Sequence, residues 1–201
     1  MIKTLFLSAM AVMALSVAPA LAAPEIGKPA PDFTGTDTKG VTHKLSDFKG
    51  KNVVLEWTNP GCPFVVKHYD SKNMQKLQEK YTAQDVVWLS INSSAVGKEG
   101  NMTPDESDKY IAEKGAKATA RIIDADGTIG KLYDAKTTPH MFVIDKEGTL
   151  VYMGAIDSDS SFKPESIPGA TNYVAAALDA LAAGKPVETA STKPYGCGVK
   201  Y

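Results

Sequence analysis

Cysteine, arginine and histidine are scarce in this chain: 201 residues hold two cysteines, one arginine and three histidines. Two cysteines are too few for a disulfide scaffold, and a chain of this length and apolar content buries a core without one. Charge of one sign is also missing. The 22 basic residues nearly balance the 23 acidic ones, and no basic stripe of the kind that neutralises phosphates interrupts the pattern, so nucleic acid is not an expected partner. Internal repeats and low-complexity blocks are absent, which leaves one domain of ordinary size.

Long hydrophobic runs are lacking as well. The one apolar stretch near the start, Leu5 to Leu15, is interrupted by Ser8 and followed by Ser16 and Pro19, short of the roughly 20 residues of a membrane span. With Lys3 before it and Ala20-Leu21-Ala22 after it, it reads as a secretory signal peptide over residues 1–22. Cleavage would leave a mature domain of residues 23–201, exported to the bacterial periplasm, with a net charge near −2 and no stable membrane span. In that compartment disulfides form and persist.

The remaining pattern alternates strands and helices. Pro31 to Gly50 gives short strand-like pieces with turns at Gly35 and Lys39-Gly40. Val53-Val54-Leu55 and Val86 to Ile91 are brief apolar runs suited to strands buried on both faces. Between them, Val66, Tyr69, Met74, Leu77 and Tyr81 recur at helical intervals, predicting one helix from Pro63 to Tyr81. Thr103-Pro104-Asp105-Glu106 is a capped helix start ending at Gly115. Arg121 to Asp124 reads as a strand, Thr128 to Tyr133 as a short helix, and Met141 to Ile144 with Thr149 to Met153 as a hairpin turning at Lys146-Glu147-Gly148. A last helix spans about Asn172 to Ala183, and Gly184 to Tyr201 is an aperiodic tail laid over the domain. The fold class is therefore α/β: a central mixed β-sheet with helices on both faces, an N-terminal extension and a C-terminal tail.

Chemistry concentrates at Trp57-Thr58-Asn59-Pro60-Gly61-Cys62-Pro63, where a buried strand ends and a thiol stands at the start of a helix. Unpaired backbone N–H groups and the helix dipole favour the thiolate, the nucleophilic form. A small inert hydrophobe at a strand end is the other reading of Cys62.

That arrangement, with Thr138-Pro139 preceding the Met141 strand, resembles the thioredoxin-like superfamily, in which a residue followed by a cis-proline faces the reactive cysteine. The run from Thr58 to Tyr69, the segment Ile91-Asn92-Ser93 and the ending Gly196 to Lys200 resemble more narrowly the redoxin family of thiol-specific antioxidant and alkyl hydroperoxide reductase relatives. The resemblance implies a thiol-based oxidoreductase with Cys62 as nucleophile, with Trp57, Asn59, Pro63, Thr138 and a cis Pro139 lining its site. It implies no cofactor, only a peroxide or disulfide substrate and an external thiol reductant.

Two departures bear on the reaction. Val65 stands where a Cys-x-x-Cys motif has its second thiol, so exchange cannot be confined to that motif. Leu55 and Asn59 stand where peroxidases of this family have Pro and Thr or Ser, and no motif places Arg121 near the site. Cys197, between Gly196 and Gly198 on the tail, offers a resolving thiol that would displace a sulfenic acid or mixed disulfide on Cys62. Alternatively the two cysteines form a permanent staple, contributing about 4 to 5 kcal/mol for so long a loop in the chain-entropy model. His43, His68 and His140 raise the question of copper, but with one cysteine per motif no metal site is assigned. His68, roughly 240 degrees around the helix from Cys62, reads as a packing or surface residue. Asp124 to Gly127 reads as a plain turn, and Asp157-Ser158-Asp159 as a solvated loop.

Overall fold

The computed structural model describes residues 23–201, and the expected signal peptide lies outside them. A five-stranded sheet is formed by β3 (Val53–Trp57), β4 (Val87–Asn92), β5 (Ala120–Ile123), β7 (His140–Ile144) and β8 (Leu150–Gly154), in the order β5-β4-β3-β7-β8. β3, β4 and β5 are parallel, while β7 and β8 run antiparallel to their neighbours. Every residue of β3, β4 and β7 is buried, as the short apolar runs require of strands covered on both faces.

The two-residue period of β3 divides the core. Val53, Leu55 and Trp57 face one layer with Phe33, Tyr133 and Phe142. Val54 faces the other, packed with α1 (Pro63–Asp70), α2 (Asn73–Thr82) and α5 (Tyr173–Ala182). Truncating Leu55, which is fully buried, to Ala would cost about 2–5 kcal/mol. Glu56 shares Val54's face and accepts hydrogen bonds from Tyr69, Gln78 and Trp88. Burial nonetheless holds its carboxyl above its ordinary range. α3 (Pro104–Lys114) starts with the predicted Thr103–Glu106 capping box and stops at Gly115 in the left-handed conformation. α4 (Thr128–Leu132) is the expected short helix.

Several elements differ from the sequence expectation. The single helix over 63–81 is two, broken at Lys72, whose φ is 62°. The side chains after the break fold back: Asn73 Nδ2 lies 2.8 Å from His68 Nδ1, and Gln75 donates to the Tyr69 carbonyl at 2.9 Å. These bonds support the end of α1 while apolar spacing continues across the break, which is why periodicity alone runs the two together. Gly35 is not a turn but the middle of β1 (Thr34–Thr36), paired with β2 (Thr42–Lys44). A Cβ there would lie 2.8 Å from Ile122, so the glycine permits close approach to β5. Asp157 is not solvated but 2 % exposed, for a reason that lies in the tail.

Candidate functional site

The Cys62 turn grows directly out of β3. Thr58 N–H donates to the Ile91 carbonyl at 2.9 Å, continuing the parallel ladder by one bond. Asn59 then braces the reversal: its Oδ1 accepts from Gly61 N–H at 2.8 Å, its carbonyl accepts from Cys62 N–H at 3.1 Å, and its Nδ2 donates to the Glu99 carbonyl at 3.1 Å. A Cβ on Gly100 would stand 2.2 Å from Asn59 Oδ1, so the opposing loop needs glycine there.

Cys62 is the N-cap of α1, with extended φ and ψ of −78° and 121°. Its carbonyl accepts from Val65 and Val66 N–H, both at 2.9 Å. Pro63 follows at the first helical position, where a missing N–H costs nothing. Trp57 supports the turn from the opposite core layer, packed on Tyr133 and Phe142 with its Nε1 donating to Ser93 Oγ at 3.0 Å. It does not share the core layer of Cys62.

The Thr138–Pro139 peptide is cis. Cys62 Sγ donates to the Thr138 carbonyl at 2.9 Å and lies 2.7 Å from Cys197 Sγ. Both thiols are free, 135 positions apart in sequence. Cys197 reaches this position on β9 (Cys197–Gly198), which pairs antiparallel with β6 (Thr137–Thr138), Cys197 opposite Thr138. Gly196, at φ 138°, has no room for a side chain: a Cβ would lie 2.1 Å from the Thr138 carbonyl oxygen.

Further contacts fasten the tail along its length. Thr192 N–H donates to Met153 O at 3.1 Å, Val199 N–H to Lys136 O at 3.1 Å, and Ala95 N–H to Lys200 O at 2.8 Å. The Tyr201 hydroxyl reaches Ala135 O at 2.8 Å. Tyr195, two residues before Cys197, donates to Asp157 Oδ1, packs on Phe64 with ring centres 5.8 Å apart, and lies 3.3 Å from His68 Nε2. Lys67, fully buried on α1, donates to the carbonyls of Asp159 and Ser161 at 3.1 and 2.9 Å. Asp157 is therefore buried where α1, the 157–161 segment and the tail meet. Lys67, Asp157 and Tyr195 escape sequence reasoning because each looks like a surface residue until the tail covers it. The tyrosine's position just ahead of Cys197 is the one local signal that could have found them.

The electrostatics separate the two thiols. Burial pushes Cys62 up, but hydrogen bonding from Cys197, Thr138 and the Val65 amide together outweighs it, leaving the pKa below the ordinary cysteine value. Burial, the hydrogen bond to Cys62 and the repulsion of its charge push Cys197 up to about 12. His68 is no base for Cys62: burial, with Lys67 beside it, lowers it to about 3. Arg121 lies two strands from β3, its Nε donating to Ser107 Oγ at 2.6 Å. Among the described residues, no three His, Cys, Asp or Glu side chains group as metal ligands, and no helix is long and apolar enough to cross a membrane.

Comparison with known proteins gives the same architecture. Residues 26–153 match the AhpC/TSA family. The thiol-disulfide oxidoreductase ResA of Geobacillus kaustophilus is 32% identical over 123 residues, covering 61% of this chain and 65% of that relative's length. ResA of Bacillus thuringiensis subsp. konkukian is 31% identical over 131 residues, 63% of this chain and 68% of the relative. Among solved structures, an uncharacterized conserved protein from Geobacillus kaustophilus superposes with a TM-score of 0.72 at 31% identity, covering 88% of this chain and 92% of its own. A hypothetical protein from Sinorhizobium meliloti gives 0.74 at 25%, covering 90% and 96%. A putative thiol:disulfide interchange protein DsbE from Chlorobium tepidum gives 0.54 at 26%, covering 65% and 85%. The sheet, the Cys62 turn and the cis-proline are thus set in a thioredoxin-like fold, and the chain belongs to the AhpC/TSA family.

Proposed function

We propose that the protein is a thiol–disulfide oxidoreductase whose working pair is Cys62 and Cys197. The observation that carries this reading is the 2.7 Å separation of the two sulfurs at the N-terminus of α1. Bond formation between them requires less than about 1 Å of movement to reach the disulfide length. In the reductive direction the Cys62 thiolate attacks one sulfur of a partner's disulfide, forming a mixed disulfide and releasing the partner's other thiolate. Cys197, as its thiolate, then attacks Cys62 Sγ and expels the partner's remaining thiolate. The partner gains two electrons, and the protein is left with a Cys62–Cys197 disulfide.

The raised pKa of Cys197 suits that order. Part of its elevation comes from the hydrogen bond and charge of Cys62, and both disappear once Cys62 is in a mixed disulfide, so the resolving thiol is activated only when needed. Because Cys62 is 1 % exposed, its attack on a bulky disulfide requires the tail to lift. Disulfides are favoured over peroxides as substrates, since Asn59 is spent on bracing the turn and Arg121 on Ser107. The similarity to ResA supports exchange chemistry, and the signal-peptide pattern expected from the sequence over residues 1–22 supports a periplasmic setting with an external thiol reductant.

The test compares oxidants. Reduced protein is mixed with glutathione disulfide or with hydrogen peroxide, and the thiols remaining on the protein are counted over time by alkylation and mass spectrometry. Glutathione disulfide is expected to oxidise the pair with release of two glutathiones per protein, faster than peroxide at equal concentration. Faster oxidation by peroxide, or no reaction with glutathione disulfide, would overturn the reading.

A further inference from the structure

The chain's one arginine is buried in the sheet, 3 % exposed. Ile122 points into the layer of Phe33 and Tyr133, so the two-residue period of β5 turns Arg121 to the opposite face. There its Nε donates to Ser107 Oγ on α3 at 2.6 Å, and its guanidinium carbon lies 5.5 Å from the centre of the Tyr110 ring. The strand registers set Glu56, Ser90 and Arg121 side by side across β3, β4 and β5. Ser90 therefore stands between the carboxyl and the guanidinium, whose backbones are two strand spacings, roughly 10 Å, apart.

A buried charge needs a partner, yet among the described residues no carboxylate forms an ion pair with Arg121. Glu56, on the same face of the sheet, gives its oxygens to Tyr69, Gln78 and Trp88. Arg121 Nη1 reaches Ser90 Oγ only at 3.5 Å, and Nη2 has no hydrogen-bond partner in the protein. The hydroxyl of Tyr110, a residue 9 % exposed, has none either. Both residues line one cavity of about 30 Å³, together with Ser90, Tyr69, Ile111 and three alanines.

We propose that this cavity binds a small monovalent inorganic anion of the halide class, held by Arg121 Nη2 and the Tyr110 hydroxyl between α3 and the β4–β5 side of the sheet. The volume admits one particle of about the size of a water molecule, which excludes carboxylates and phosphates. Water would fit, but it brings no counter-charge to the guanidinium. A halide brings one and accepts from both donors, and the apolar remainder of the lining strengthens that attraction by keeping the local dielectric low. Bound there, the anion ties α3 to β5. The site is separate from the Cys62–Cys197 couple, and the inference stands whether or not that couple exchanges disulfides.

Sodium chloride is the first probe, exchanged for sodium gluconate at constant ionic strength so that screening is matched and the replacing anion is too large for the cavity. The melting temperature of the wild type is expected to rise with chloride along a saturable curve, as for a ligand bound only by the folded state. Tyr110→Phe keeps the ring over the guanidinium and removes one donor, so the chloride concentration giving half the effect should rise several-fold. Sodium bromide is the second probe: crystals grown in it should show an anomalous peak within hydrogen-bonding distance of Arg121 Nη2. Identical melting in chloride and gluconate would overturn the proposal and leave water as the occupant. A chloride effect that Tyr110→Phe does not weaken, or bromide bound only elsewhere, would overturn it as well.

Discussion

Cys62 and Cys197 arrive at the same point by opposite means. Cys62 is placed by consecutive local structure: the end of β3, a turn braced by Asn59, and the first turn of α1. Cys197 is placed by contacts distant in sequence, to β6, Met153, Lys136, Asp157 and Ala95. The first cysteine therefore acquires a fixed position from a few residues, with its thiolate favoured mainly by the distant Cys197 and Thr138, while the second acquires adjustability. A resolving thiol must approach and withdraw, and a strapped tail can be loosened without disturbing the sheet.

The comparison can be broken most forcefully at the tail cysteine. Cys197→Ser should reduce exchange turnover to background and let mixed disulfides accumulate on Cys62, as mass spectrometry of quenched reactions would record. A Cys197→Ala variant also removes the hydrogen bond that lowers the Cys62 pKa. The pH midpoint for iodoacetamide alkylation, expected below the free-cysteine value of about 8.5 in the reduced wild type, should therefore move up.

Gly196→Ala comes next. Its new methyl cannot share space with the Thr138 carbonyl, so β9 must shift, at a cost of about 1–3 kcal/mol in the range of overpacked sites. Thermal denaturation should show the loss, and Cys62 should alkylate faster as the tail lifts. An unchanged alkylation rate would mean that the tail is not what shields Cys62.

Acid should act on the buried cluster that joins the two regions. His68, enclosed by Lys67, Asp157 and Tyr195, is held neutral with its pKa lowered to about 3. The unfolded chain, with a histidine pKa of about 6.5, binds a proton that the folded chain refuses. The stability this group confers is complete above pH about 6.5 and is lost as pH falls toward 3, by about 1.4 kcal/mol per pH unit at most. A shallower acid limb of the melting temperature is expected for His68→Gln.

Tyr195→Phe gives a comparable or smaller effect and sharpens the comparison further. It strips a donor from buried Asp157, whose Oδ2 already lacks a hydrogen-bond partner, at a cost of about 1–3 kcal/mol. Hydrogen exchange should accelerate at Val199 and Thr192 in the tail while β3 and β4 keep wild-type protection. Equal acceleration in the sheet would deny the independence of the two regions.

The same contrast explains what the sequence could reveal. The strands around β3, the Thr103 cap and the Cys62–Pro63 helix start are encoded by neighbours within a few residues, and periodicity and capping rules read them. Pro139 was accessible through resemblance, not through local pattern. The break at Lys72 was hidden because Met74, Leu77 and Tyr81 continue the spacing of α1 by coincidence of phase. Lys67, Asp157 and Tyr195 were invisible because a charged or hydroxyl-bearing residue declares itself buried only when its distant partners are known. Gly196 and Gly198 framed Cys197 in the sequence, but only the pairing with Thr138 shows why the first must be glycine.

The central claim, that Cys62 and Cys197 form a reversible exchange couple and not a staple, is tested most directly by redox titration. Protein is equilibrated in dithiothreitol or glutathione buffers of graded potential, and the disulfide fraction is read by mass after alkylation. Stabilisation of the Cys62 thiolate favours the reduced form, so one two-electron transition is expected at a potential above about −300 mV, the value below which structural disulfides of secreted proteins typically lie. A pair that stays oxidised to more negative potentials, or never joins, would contradict the account.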